Sequence, residues 1–171
     1  ILMKLVGMKP VIVHGGGPFI NEWLKKLDIE SEFVKGLRVT DEETMEVVDM
    51  VLNGKINKKI VSDINILGEK AVGLSGKDGK IIIGKRKEKL GYVGEVLKVN
   101  PQLIHTLTNE GYIPVISPVG LGEEGESLNI NADHAAGAIG GALGAHKLVL
   151  LTDVEGVYLG EKGASLASKL T

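Results

Sequence analysis

A histidine, three glycines and a proline stand together at His14-Gly15-Gly16-Gly17-Pro18, directly after the β-branched run Val11-Ile12-Val13. The run reads as a short buried strand. Pro18 suits a first helical turn, where its missing N–H would have had no partner. The segment is therefore a strand, a tight turn and a helix N-terminus. Without a Cβ, glycine lets a ligand lie against the backbone, and the open N–H groups of a first helical turn favour an anion. Arg38, close to Gly36, can clamp a carboxylate through two parallel hydrogen bonds or be an ordinary surface arginine. Asn129-Ile130-Asn131-Ala132-Asp133 is a polar knot before an alanine-rich helix, where Asp133 can belong to a ligand site or act as an N-cap. Ser75-Gly76-Lys77-Asp78-Gly79 and Thr152-Asp153-Val154-Glu155-Gly156 each follow an apolar run, and each can be a plain turn or part of a site.

Other chemistries are poorly served. His-Gly-Gly-Gly is also the oxyanion loop of lipases, but the partner Gly-x-Ser-x-Gly is missing: Ser75 sits in Gly73-Leu74-Ser75-Gly76-Lys77. Neither a P-loop nor a strand-following Gly-x-Gly-x-x-Gly occurs. His14, His105, His134 and His146 are scattered, without the spacing of a zinc site, so no metal ligand set is assigned. The chain has no cysteine, hence no disulfide, thiolate metal site or cysteine nucleophile. With 20 Lys and Arg against 22 Asp and Glu, nucleic acid and anionic membranes are unsuitable partners. The lysines of 85–89 read as a solvated face. A hydrophobic fraction of 43% supports a real core, and no apolar run reaches membrane-spanning length, so the expectation is a soluble cytoplasmic protein.

The elements that must position these residues alternate. Ile20, Trp23, Leu24 and Leu27 give the stripe of an amphipathic helix. Phe33-Val34 and Leu37-Arg38-Val39 flank Lys35-Gly36 as a hairpin. A helix from Asp41 to Asn53, begun by Thr40 or Asp41 with Thr40 and Glu43 as a capping box, is interrupted at Gly54 and resumes to Gly68. Strands are expected at 71–74, 81–83, 112–116 and 147–151, with Pro114 at a strand start or edge. Residues 119–127 read as a glycine- and glutamate-rich loop, and Ala135–Leu143 as a helix. Strands alternating with helices argue for an α/β fold with a largely parallel sheet covered on both faces. Ligands then sit beyond the carboxyl ends of the strands, where three glycine-bearing turns share one edge. Ile1–Val6 reads as the last turn of a helix and 167–171 stop just where a new element should begin, so the chain is expected to be an internal segment of a longer one.

His14-Gly15-Gly16-Gly17-Pro18, Gly36-Leu37-Arg38-Val39-Thr40-Asp41, Gly73-Leu74-Ser75-Gly76-Lys77-Asp78-Gly79, Gly91-Tyr92-Val93-Gly94, Asn129-Ile130-Asn131-Ala132-Asp133 and Leu151-Thr152-Asp153-Val154-Glu155-Gly156-Val157 occur in one order. In that order the sequence resembles the N-acetyl-L-glutamate kinases of the amino-acid kinase superfamily, over essentially its whole length. The resemblance implies an open αβα sandwich, incomplete here. Residues 1–146 would be the acetylglutamate lobe, without its N-terminal strand and lysine segment, and 147–171 the start of the ATP lobe. The implied reaction moves the γ-phosphoryl of ATP, carried with Mg²⁺, to the γ-carboxylate of N-acetyl-L-glutamate in arginine biosynthesis. Gly16 and Gly17 would donate to substrate and transferring phosphoryl, Arg38 would bind the α-carboxylate, and Asn129 would touch the substrate. Asp133 would organise the catalytic lysines, and Asp153, Val154, Glu155, Gly156, Val157 and Tyr158 would border the nucleotide. Both catalytic lysines of that family fall outside residues 1–171, so the chain by itself is expected to be inactive or nearly so. A homo-oligomer, a dimer through the helices of 41–68, is expected. A sister kinase for another acylated amino acid, or a non-catalytic substrate-binding module, are the alternatives.

Overall fold

The structure, a computed structural model, describes residues 2–151. Along the chain come α1 (Leu2–Leu5), β1 (Ile12–Val13), α2 (Gly17–Lys26), β2 (Phe33–Val34), β3 (Leu37–Arg38), α3 (Glu42–Asp49), a π-helical segment (Met50–Ile56), α4 (Asn57–Ile66) and β4 (Ala71–Ser75). A 3-10 turn at Asp78–Lys80 leads to β5 (Ile82–Arg86), β6 (Val93–Val99), α5 (Gln102–Asn109), β7 (Ile113–Ser117), β8 (Val119–Leu121), β9 (Ser127–Ile130) and α6 (Ala132–Ala142).

β1, β7 and β4 form a parallel sheet with β7 in the middle, so Val115 pairs with Ile12 on one side and Gly73 on the other. Gly73 faces α4: a Cβ there would come within 1.9 Å of the Asn57 Oδ1. On the opposite face Leu74 and Ile116 join a core with Ile104 of α5 and Ile139 of α6. Helices thus cover both faces of the parallel sheet, the αβα layering expected of the sequence. A second core packs Ile20 and Leu24 of α2 against Met45, Val48, Val51 and Leu52.

Four further strands close into a small barrel in the order β5-β6-β9-β8. Its interior is filled by Leu128 and Ile130, and glycine is what fits against them. A Cβ on Gly94 would lie 2.9 Å from the Leu128 Cβ, and one on Gly120 would lie 2.5 Å from the Ile130 Cδ1. Of residues 119–127, which read as a loop, only 122–126 are one; Val119–Leu121 and Ser127 belong to β8 and β9. The glycines serve tight barrel curvature, and β8 and β9 pair antiparallel across the turn between them.

Other expectations also change. Gly54 does not break the helix: α3, the π-helical segment and α4 run on from Glu42 to Ile66, and the Asn57 N–H donates to the Leu52 carbonyl five residues back. The wider turn absorbs the glycine. The cap of α3 is Asp41, whose carboxylate accepts from the Thr44 N–H at 2.8 Å, and not a Thr40–Glu43 box. Thr40 instead turns inward and is fully buried. Asn131, rather than Asp133, caps α6. Pro114 lies in the central strand, but at its second residue, before the pairing with β1 begins at Val115. Residues 147–151 are not a strand. No neighbouring strand among the described residues pairs with them, and Leu148, Val149, Leu150 and Leu151 are exposed. Among the described residues no helix is long and apolar enough to cross a membrane.

Candidate active site

Because β1, β7 and β4 are parallel, their carboxyl ends face one edge, bringing there the turns at Gly15–Gly17 and Ser75–Gly79. The third turn, Thr152–Gly156, and with it Asp153, Val154, Glu155, Gly156, Val157 and Tyr158, lies outside the described residues. A cavity of about 210 Å³ opens beside the first turn. Gly15, Gly16 and Gly17 form one wall, Phe33, Gly36, Leu37 and Arg38 of the hairpin a second, and Asn129–Ala132 a third. Gly16, Gly17, Arg38 and Asn129 are thereby gathered from three separate stretches of chain. Asp133 is not part of the lining. It sits exposed at the start of α6, one residue beyond Ala132.

The glycine turn leaves helix amides free. Gly16 is the N-cap of α2 and offers no side-chain acceptor, and no acidic residue follows in the first turn. The partial positive end of a ten-residue helix is thus presented to the cavity. The N-terminus of α6 differs: the Asn131 Oδ1 accepts from the N–H groups of Asp133 and His134 at 3.0 and 3.1 Å. Gly16 also has a steric reason to be glycine. A Cβ there would lie 2.2 Å from the Ile56 Cδ1 and 2.8 Å from the Leu52 Cδ2, whereas nothing lies within 4 Å of one on Gly17.

Arg38 is not a surface arginine; it is 7% exposed. Its guanidinium donates to the Ser31 hydroxyl and, at 3.4 Å, to the Gly17 carbonyl, and stacks 4.6 Å over the Phe33 ring. Burial lowers its proton affinity from the usual arginine value, yet a guanidinium stays charged at any working pH. Among the described residues it is the only charged side chain in the cavity lining, and it has no carboxylate partner there. A buried cation with open helix amides beside it is a site for an anion.

The hairpin is held in register from two sides. Lys35 and Gly36 both have positive φ, 50° and 80°, the twisted turn that suits a two-residue hairpin. Beyond it the Thr40 hydroxyl donates to the Arg38 carbonyl at 2.8 Å and accepts from the Asn129 amide at 3.1 Å. Arg38 and Asn129 are therefore coupled through Thr40. A larger, more open cavity of about 510 Å³ lies beside α2 and the turn at 28–33. It carries Lys25 with Asp28 and Glu30, so it presents no unbalanced positive charge, and the smaller cavity is the better anion site.

Several residues here were not legible in advance. Ser31 and Phe33 look like ordinary turn and strand residues, and Thr40 reads as a helix cap rather than as a link between Arg38 and Asn129. A signal existed for one group: Asp49, Asn53 and Asn57 recur every four residues in an apolar helix, placing polar groups on one buried face. Asp49 pairs with Lys77 at 2.7 Å and accepts from Ser127 at 2.9 Å. Asn53 bridges Asp49 and the Ser117 hydroxyl.

Residues 2–171 match the profile of the amino acid kinase family. The chain belongs to that family. Among its relatives, the acetylglutamate kinase of Caldanaerobacter subterraneus subsp. tengcongensis is 59% identical over 99% of this chain. That of Desulforamulus reducens is 60% identical over 92% of it. The chain spans 58% and 56% of those two relatives. Among solved structures, smu.665 of Streptococcus mutans UA159 superposes with a TM-score of 0.85 at 32% identity, covering 95% of this chain and 66% of that one.

Proposed function

We propose that this chain forms the acceptor lobe of an N-acetyl-L-glutamate kinase, transferring the γ-phosphoryl of ATP to a carboxylate in arginine biosynthesis. The observation that carries the reading is the buried Arg38, without a carboxylate partner among the described residues, lining one cavity with Gly16 and Gly17 at the open N-terminus of α2. The printed names of the relatives at 59% and 60% identity support it. Arg38 holds the α-carboxylate of acetylglutamate through two N–H donors, and Phe33 beneath it fixes the plane of the fork. Asn129, anchored to Thr40, turns its remaining amide capacity to the acetamido group.

A γ-carboxylate oxygen attacks the γ-phosphorus, the bond to ADP breaks, and an acyl phosphate forms. This needs no covalent protein nucleophile. It needs two anions held in line and their charge offset. The N–H groups at Gly16 and Gly17 donate to the carboxylate and to the transferring phosphoryl, as fixed dipoles that need no reorganisation during transfer. Asp133 orients the lysines that complete the charge balance. Mg²⁺ arrives on the phosphates of ATP. Residues 1–146 make the acceptor lobe and 147–171 begin the ATP lobe, with Asp153 to Tyr158 bordering the nucleotide. The assembly is a cytoplasmic dimer through 41–68, where Met50, Ile66 and Leu67 are exposed apolar residues. Calorimetry with acetylglutamate, acetylaminoadipate, glutamate, carbamate and UMP tests the acceptor class. Acetylglutamate is expected to bind tightest, and binding of UMP alone would sink the assignment.

A further inference from the structure

We infer that His14, locked by Asn57, is a positioning residue that aims the Gly16 N–H into the anion site. The inference rests on the acceptor-site reading above and goes further by assigning the group that sets the glycine turn. His14 does not line the cavity; it is buried behind it, 8% exposed, at the end of β1. Its Nε2 lies 3.1 Å from the Asn57 Nδ2, and its Nδ1 lies 3.0 Å from the Gly15 carbonyl oxygen.

The two contacts fix the proton. The Asn57 NH₂ has two hydrogens, and its two nearest acceptors are the Val115 carbonyl at 2.9 Å and the His14 Nε2 at 3.1 Å, with the Leu74 carbonyl farther off at 3.3 Å, while its Oδ1 accepts from the Lys58 Nζ at 3.2 Å. The amide is thus oriented with its donors toward His14, so Nε2 is an acceptor and the proton resides on Nδ1. Burial lowers the proton affinity of the ring and keeps it neutral. Nδ1–H then donates to the Gly15 carbonyl. In a trans peptide the C=O and the following N–H point to opposite sides. Anchoring the Gly15 carbonyl on the buried imidazole therefore turns the Gly16 N–H away from the interior, to the side where the cavity lies. Glycine at 15 and 16 leaves that peptide free to rotate unless something holds it. Asn57 is fully buried at the junction of the π-helical segment and α4, so helix geometry is passed to the ligand site through two side chains.

The test compares His14→Asn, His14→Gln and His14→Leu. An asparagine amide reproduces the Nδ1 donor to the Gly15 carbonyl; a glutamine amide reproduces only the Nε2 side; leucine reproduces neither. Acetylglutamate affinity by calorimetry is expected to stay within about threefold for His14→Asn and to fall roughly tenfold for His14→Gln and His14→Leu, the size of one hydrogen bond to a charged group. In the ligand-free wild type, nitrogen NMR of the imidazole is expected to show Nδ1–H. The Gly16 amide resonance should move in the glutamine and leucine variants and not in the asparagine one. An Nε2–H tautomer, an unmoved Gly16 amide in a folded His14→Leu, or equal losses for asparagine and leucine would overturn the assignment. The NMR arm needs no ligand, so a wild type that ignores acetylglutamate refutes the acceptor reading and still decides the role of His14.

Discussion

The Ile56 Cδ1 stands where the Cβ of any larger residue at Gly16 would have to go, 2.2 Å from that ideal position. Ile56 closes the π-helical segment, so the shape of one helix dictates the residue at the anion turn of another. Gly17, one residue on, faces open cavity. The two adjacent glycines are therefore required for different reasons. Gly16→Ala is expected to cost about 1–3 kcal/mol of stability through overpacking against Leu52 and Ile56. Gly17→Ala should leave stability within about 1 kcal/mol of wild type and still weaken acetylglutamate binding, because the new methyl enters the site. Urea unfolding beside calorimetry separates them. Equal stability losses would contradict the packing account.

The polar stripe on the long helix makes a second prediction. Asp49 serves Lys77, Asn53 and Ser127 together. Removing it strands several half-buried donors, so Asp49→Ala is expected to cost about 1–3 kcal/mol. Lys77→Met removes a partly exposed cation and should cost less. A double-mutant cycle between the two positions is expected to return a coupling above about 0.5 kcal/mol; additive losses would show the pair to be an incidental surface contact.

Asp41 predicts a pH dependence. Hydrogen bonds from the Thr44 side chain, then its backbone N–H, hold the Asp41 carboxyl below its usual value. A carboxyl depressed in the folded state stabilises fully above its unfolded pKa, and the contribution fades as pH falls through the ordinary carboxylate range toward the folded value. Asp41→Ala should cost about 1 kcal/mol at pH 7, as the loss of an N-cap. By pH 3 the gap between variant and wild type in urea unfolding should have narrowed. A gap that widens in acid would rule out the carboxylate as the cap.

The sequence pattern carried much of this site and less of its support. Ile12–Val13, the glycine turn and the Ile20–Leu24 part of the α2 stripe were legible because a local period and a local steric need coincide there, whereas Val11 lies outside β1 and Leu27 is half exposed beyond the end of α2. Arg38 was ambiguous: what buries it is Phe33 and the 28–33 turn folding back, a tertiary fact. The Gly54 break failed because helix packing on Gly16 and Gly73 outweighs the propensity cost of one glycine. The closure of the barrel was missed since Gly120, within 119–127, reads as a loop residue when its purpose is close approach to Ile130. Residues 147–151 have a strand's composition, yet a strand forms only against a neighbour.

The central claim is that an acceptor carboxylate sits between Arg38 and the Gly16–Gly17 amides. Arg38→Lys keeps the charge and loses the planar fork, while Arg38→Gln loses both. The most direct measurement is calorimetric binding of acetylglutamate to wild type and both variants, with folding checked by thermal unfolding. One acetylglutamate per chain is expected for wild type, roughly tenfold weaker binding for Arg38→Lys, and at least about a hundredfold loss for Arg38→Gln. A folded Arg38→Gln that binds acetylglutamate as wild type does would contradict the account.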